Sequence, residues 1–256
     1  MSDFVKLSRN DGVVTVTIDR PEALNALDPN VLGELERNFE ALNNDQSVKV
    51  IILTGVKKAF VAGADIASMS KMTPEEAVEF SRLGQRVFNR VASMRPVVIA
   101  AINGFALGGG CELAMACDIR VAAESAKMGI PETSLGVFPG FAGTQRLPRL
   151  VGLGIAKEML ATAQKIGAQR AYEIGLVNHV VPNEELLSFC EDLAKTILKN
   201  STIAIAAGKK LMDMGSEVDL DKAQDYEAAL FGVAFSTADQ KEGMAAFLEK
   251  RPPAFQ

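Results

Sequence analysis

Histidine occurs once in the 256 residues and cysteine three times, and those shortages remove several chemistries at the outset. A lone His179 cannot build a multi-histidine metal site, and its place in the apolar run Val177 to Val181 predicts a buried strand residue rather than a catalyst. Cys111, Cys117 and Cys190 form no Cys-x-x-Cys pair and are odd in number, so neither a disulfide framework nor a thiolate zinc site is expected. The Gly-x-Ser-x-Gly nucleophile elbow is missing, because Glu132 stands two residues before Ser134 where glycine is required. No Gly-x-x-x-x-Gly-Lys-Ser/Thr loop occurs, and Leu113 replaces the third spaced glycine that Gly108, Gly109 and Gly110 would need for a dinucleotide fingerprint. Basic residues are scattered and the net charge is −5, which argues against a nucleic-acid surface. Met1 to Gly12 lacks the apolar stretch of a signal peptide, and no later segment offers the roughly 20 apolar residues of a membrane span. A soluble protein in the reducing cytoplasm is the expectation.

What is present is 48% apolar residues, ample for a core without covalent staples. Phe4 to Ser8 and Val13 to Asp19 read as strands joined by the turn at Asn10-Asp11-Gly12. Asp28 and Pro29 open a helix with Leu32, Leu35, Phe39 and Leu42 on one face, and Thr73, Pro74 and Glu76 form a capping box for another through about Ala92. Val48 to Leu53 and Pro96 to Ile102 read as strands buried on both faces. Cys111 to Ala116 reads as a short helix, Asp118 to Ala123 as a strand, and Thr144 to Leu160 as helix broken at Gly152 and Gly154. Strands and helices alternate, so the body is α/β. Beyond Val181 the pattern is helical only, with Phe231, Phe235, Met244 and Phe247 in excess of one buried face, which fits a subunit interface or packing on the body.

Two glycine-bearing segments come after buried strands, where α/β proteins place ligands: Phe60 to Ile66 and Asn103 to Leu113. The second puts glycines at a helix start, whose unpaired N–H groups favour an anion. Glu112 is embedded in the apolar run Cys111 to Ala116, and Glu132 lies among apolar and glycine residues in Gly129 to Gly136. Buried acids are costly unless partnered or used. Two of them can share acid and base work. Equally, each can cap a helix or pair with an arginine such as Arg146.

Six ordered segments carry a resemblance: Arg20-Pro21-Glu22-Ala23-Leu24-Asn25-Ala26-Leu27, Ala62-Gly63-Ala64-Asp65-Ile66, Asn103 through Leu113, Pro131-Glu132, Pro139-Gly140 with Gly143-Thr144-Gln145-Arg146-Leu147, and Ala246-Phe247-Leu248-Glu249-Lys250-Arg251. Together they resemble the crotonase (enoyl-CoA hydratase/isomerase) superfamily, and within it the short-chain enoyl-CoA hydratases and 3-hydroxybutyryl-CoA dehydratases. The resemblance implies a crotonase-type spiral of ββα units over residues 1–197, then a helical trimerisation region over 198–256, with trimers commonly paired into hexamers.

It also implies roles. Glu112 and Glu132 correspond to the two catalytic carboxylates, and the N–H groups of Ala64 and Gly109 to the oxyanion hole that holds the thioester carbonyl. Ala23, Leu24, Ala62, Asp65 and Ile66 correspond to residues along the coenzyme A moiety, Pro131 and Gly140 to the acyl and water site, and Phe247 and Lys250 to carboxy-terminal contacts with a coenzyme A, often on a neighbouring subunit. The implied partner is an acyl-CoA thioester, in fatty-acid β-oxidation, butyrate or polyester metabolism, with no metal and no separate cofactor. Met69, Met72, Met94 and Phe141 are candidates for the acyl-pocket wall. Ala67 replaces a basic residue usual after the Ala-Asp-Ile step, with Lys57, Lys58 or Lys71 as candidate substitutes. Ala142 replaces a usual glycine, a change expected to be harmless unless the local φ is positive. Rival readings are an enoyl-CoA isomerase, another acyl-CoA enzyme of the superfamily, and a non-enzymatic trimer that binds RNA or protein. Retention of Glu112 favours hydration over isomerisation, and the intact glutamate pair and acidic net charge count against the non-enzymatic reading.

Overall fold

The computed structural model describes residues 4–255, so Met1 to Asp3, part of the segment read above for a signal peptide, and Gln256 lie outside the description. The chain divides between Glu191 and Asp192 into two compact units.

The first unit opens on the expected hairpin, β1 (Val5–Asn10) and β2 (Val13–Ile18), antiparallel across a turn in which Asp11 and Gly12 both take positive φ. Alternate β2 residues Val14, Val16 and Ile18 are buried, as period-two patterning requires. α1 (Pro29–Asn44) starts on Asp28, whose carboxylate accepts the N–H groups of Asn30 and Val31. β3 (Val50–Gly55) is buried along its whole length, lying in parallel between β2 and a later strand. β4 (Ala59–Val61), α2 (Ile66–Met69) and α3 (Pro74–Ala92) come next, α3 with the expected Thr73–Glu76 capping box.

The next passes are β5 (Val97–Ile102), β6 (Phe105–Leu107) and α4 (Gly109–Ala116), then β7 (Ile119–Ala123), β8 (Lys127–Gly129), a 3-10 turn over Pro131–Leu135 and α5 (Gly143–Val151). α6 (Leu153–Thr162), β9 (Ile166–Gly167), α7 (Ala168–Glu173) and β10 (His179–Val181) complete the set of strands. Of the two helix breaks expected, only Gly152 breaks the chain; Gly154 lies inside α6.

One sheet has the order β1-β2-β3-β5-β7-β10 and the other β4-β6-β8-β9. After the β1–β2 hairpin, both strands of which join the first sheet, the passes that begin at β3, β5 and β7 each lay one strand in the first sheet, one in the second, then helix, and repetition of that step advances the chain as a spiral of ββα turns. The apolar core runs through both sheets and α1, α3 and α4. His179 departs from expectation: it is exposed on the edge strand β10, where its ring meets Phe189 at 5.1 Å. An edge strand has only one neighbour, so a side chain in an apolar run can still face outward.

The chain continues as α8 (Leu186–Ile197), which crosses the division between the units. The second unit holds α9 (Thr202–Gly215), α10 (Leu220–Ala234) and α11 (Ala238–Leu248). Ser201, Asp219 and Thr237 cap these three helices with their side chains. Among the described residues no helix is long and apolar enough to cross a membrane.

Candidate active site

Three parallel strands of the second sheet, β4, β6 and β8, lie side by side and end together, since Val61 pairs with Ala106 and Leu107 with Gly129. The segments that leave these strands are therefore gathered at one rim: Ala62 to Asp65 after β4, Gly108 to Glu112 after β6, and Ile130 to Glu132 after β8. A bond from the Gly108 N–H to the Gly129 carbonyl (2.9 Å) ties the last two exits. Sequence spacing alone says nothing of this; parallel pairing does.

At the first exit Leu27 donates to the Gly63 carbonyl and accepts from the Asp65 N–H, each at 2.9 Å. That is the parallel bridge pattern, and it turns the N–H of Ala64 to the side away from Leu27. At the second exit Gly109 is the first residue of α4, whose N–H has no intrahelical acceptor. Neither N–H has an acceptor among the described residues. The rim thus presents two free backbone donors from neighbouring strand ends, one of them at the positive end of a helix.

Glu112, in the first turn of the wholly buried α4, is 1% exposed. Its Oε1 accepts the N–H of Phe141 at 2.8 Å and of Gly143 at 2.6 Å. Burial raises its pKa from 4.5 to about 7, with the charge of Glu132 adding to the rise and the bonds from Gly143 and Phe141 opposing it. Gly143 has to be glycine, because a Cβ there would stand 2.7 Å from Oε1 of Glu112. Glu132 sits on the 3-10 turn, also pushed up by burial, and its Oε2 is buried with no hydrogen-bond partner. A carboxylate oxygen in that condition is rare in a folded protein and calls for a ligand or a reaction.

Phe141 is 4% exposed, edge-on to Phe80 at 5.1 Å and Phe88 at 5.4 Å, and Met94 is 2% exposed, so both belong to the core; Met69 and Met72 are half-buried. Pro131 and Gly140 flank the Glu132 segment and are likewise half-buried.

The Ala23–Leu24 segment is held against Ala62 to Ile66 by a bond from the Ala62 N–H to the Leu24 carbonyl (3.1 Å). Leu24 and Ile66 offer exposed apolar surface there. Arg20, for which sequence reading gave no role, reaches Asp65 at 2.9 Å, Asp28 at 3.4 Å and the Ala26 carbonyl at 3.0 Å, fastening the segment from beneath. Asn25, fully buried at φ 60°, donates to the carbonyls of Val56 and Ala59. Lys57 and Lys58 stand at the amino end of β4, opposite the exit leading to Ala64, whereas Lys71 follows Ser70, the carboxy-terminal cap of α2. Phe247 and Lys250 belong to the second unit, where both are exposed. Among the described residues no three His, Cys, Asp or Glu side chains cluster as a metal site needs.

Residues 8–256 match the model of the family described as enoyl-CoA hydratase/isomerase. The chain is 51% identical over 250 residues to the crotonyl-CoA hydratase of Syntrophomonas wolfei, an alignment covering 97% of this chain and 96% of that one. It is 48% identical over 248 residues to the short-chain-enoyl-CoA hydratase of Clostridium acetobutylicum, covering 96% and 95%. The crystal structure of an enoyl-CoA hydratase from Bacillus anthracis superposes with a TM-score of 0.95 at 39% identity, covering 98% of each chain.

Proposed function

The chain belongs to the enoyl-CoA hydratase/isomerase family, and from that premise we propose that it hydrates short-chain trans-2-enoyl-CoA thioesters reversibly, with crotonyl-CoA a substrate and Glu112 and Glu132 the working pair. The observation that carries the reading is the buried, unpartnered oxygen of Glu132 on the same rim as the buried carboxyl of Glu112, beside two unspent backbone donors.

The N–H groups of Ala64 and Gly109 receive the thioester oxygen, and their donation strengthens as negative charge builds there during addition; one such donor is commonly worth about a hundred- to thousandfold in rate. Glu112 orients a water and takes its proton as the oxygen bonds to C3. Glu132 gives a proton to C2. The pair begins and ends with one proton between them, so its titration belongs to the pair; burial raises both carboxyls and the charge of Glu132 raises Glu112 further, which favours retention of that proton. Run backwards, the same two groups remove water from a 3-hydroxyacyl-CoA. Ala23, Leu24, Ala62, Asp65 and Ile66 lie along the coenzyme A moiety, and Pro131 and Gly140 border the acyl and water site. Coenzyme A is part of the substrate, and the reaction requires neither a metal nor a further cofactor.

We also infer a homotrimer, or a pair of trimers, working in the cytoplasm, with Phe247 and Lys250 reaching a neighbouring subunit's coenzyme A. The exposed Met212, Phe231, Val233, Phe235, Phe247 and Leu248 of the second unit support association. Light scattering of the purified chain reads the mass directly.

The decisive assay tracks loss of the enoyl thioester absorbance of crotonyl-CoA. Glu112→Gln and Glu132→Gln should each lower kcat by about a hundredfold or more while changing KM little. Near-native turnover in both would overturn the mechanism. Faster conversion of a 3-enoyl-CoA than of crotonyl-CoA would make the chain an isomerase instead.

A further inference from the structure

We propose that Ser81 and Gln85, one turn apart on α3, are positioning residues for Glu112 that act through the single peptide group joining Gly140 to Phe141. The inference rests on the reading of Glu112 as the carboxylate that orients water. The carbonyl of Gly140 accepts the Ser81 hydroxyl at 2.6 Å and the Gln85 amide at 3.0 Å, and Gln85 also donates to Ser81 at 3.2 Å. The N–H at the other end of that same peptide is the Phe141 donor to Glu112 Oε1. Peptide resonance couples the two ends: drawing electron density onto the carbonyl oxygen makes the N–H a stronger donor, and chains of hydrogen bonds reinforce one another in this way.

The second donor to Oε1 is built alike. Its N–H belongs to the Ala142–Gly143 peptide, whose carbonyl accepts the N–H groups of Gln145 at 3.0 Å and Arg146 at 2.9 Å. Both peptides that hold Glu112 are thus gripped from behind by two donors. In one case the grip is the start of α5, a backbone feature that any helix provides. In the other it is a pair of side chains on a different helix, lying outside every motif that carries the family resemblance. Two polar residues at i and i+4 on a surface helix read as a solvated face, so nothing in the sequence marks them. A carbonyl satisfied by one donor needs no second, and the doubled grip aligns the peptide plane with the carboxylate.

The charged groups acting on Glu112 are Glu132, which disfavours its ionisation, and Arg146 of α5, which favours it; substitution on α3 leaves both in place. Ser81→Ala/Gln85→Leu should weaken the Phe141 donor. Two readouts test this. In 13C NMR of protein labelled at glutamate Cδ, with Glu112 assigned by its absence in Glu112→Gln, the Glu112 titration should move upward by about half a unit or more. In crotonyl-CoA hydration at neutral pH, kcat should fall about tenfold with KM within about twofold, and the acid limb of the profile should move upward. Ser81→Thr, which keeps the hydroxyl, should recover most of the effect of Ser81→Ala. An unmoved Glu112 titration in the double variant would overturn the proposal, whatever happened to the rate. Were Glu112→Gln to turn over normally, the reading of Glu112 as the carboxylate that orients water would fall, while a shifted titration would still uphold the relay.

Discussion

Gly108 and Glu132 meet so closely that a methyl group on the glycine would stand 2.8 Å from Oε1 of the acid. Gly108 also lies at φ 50°, ψ −121°, a conformation that side chains resist. The residue before α4 is therefore the floor on which the second acid rests. Gly108→Ala should push Glu132 out of place and lower kcat by about a hundredfold, with strain costing roughly 1–3 kcal/mol of stability. Hydration kinetics and thermal unfolding check the two effects separately; a kcat within about threefold of wild type would show that Glu132 tolerates the displacement.

Glu112 makes stability depend on pH with a definite sign. Its pKa in the folded chain is raised from 4.5 to about 7, so the folded state binds the proton more tightly than the unfolded one. The contribution is complete below about 4.5 and is lost as pH rises to about 7, on the order of 3 kcal/mol at most. Glutamine mimics the protonated acid at every pH. The stability of Glu112→Gln relative to wild type should therefore increase between pH 5 and pH 8, by several degrees in Tm. A difference in Tm that does not change with pH would show that the acid is not strained by ionisation.

Legibility tracked periodicity. The hairpin, α1, β3, α3 and β5 could be read because alternation, capping residues and buried β-branched runs are local signals, and their observed ends fall within about two residues of expectation. β4, β6 and β8 have three residues each, too few to show a period, and so the second sheet, which gathers the site, was invisible except through the family resemblance. Glu112 stood out as an acid in an apolar run. The anchors Phe141 and Gly143 did not, because they act through backbone N–H groups that every residue but proline owns. Arg20 lies within one of the resembling segments, yet its partners Asp28 and Asp65 are assembled only by the fold.

Arg20 bears on the site through that ion pair. Its side chain and that of Asp65 are each 16% exposed, and Asp65 comes immediately after Ala64. The Asp65 carboxyl lies below its usual range, chiefly from the Ser68 N–H, with Arg20 contributing. Arg20→Met should cost roughly 1–3 kcal/mol at neutral pH and lower kcat about tenfold by loosening the segment that carries the Ala64 donor. Because the Asp65 pKa is depressed in the folded state, its contribution is present above the unfolded value and fades as pH falls through the folded one. The stability gap between variant and wild type should accordingly shrink in acid. A gap that persisted undiminished at low pH would assign the loss to packing rather than charge.

Ala142 meets the condition under which its departure from glycine matters, for its φ is +80° with ψ 15°. An L-residue held there costs roughly 1–2 kcal/mol, offset in part because glycine loses roughly 0.5–1 kcal/mol more backbone entropy on folding. Ala142→Gly should therefore raise Tm by up to about 4 °C. Valine, branched at Cβ, fits the left-handed region far worse than alanine. Ala142→Val should lower Tm and, since residue 142 lies between the two N–H groups that hold Glu112, slow hydration as well. Loss of stability without loss of rate in Ala142→Val would show that the Phe141 to Gly143 arc can shift without carrying Glu112 along, and would separate the strain at this residue from the geometry of the carboxylate.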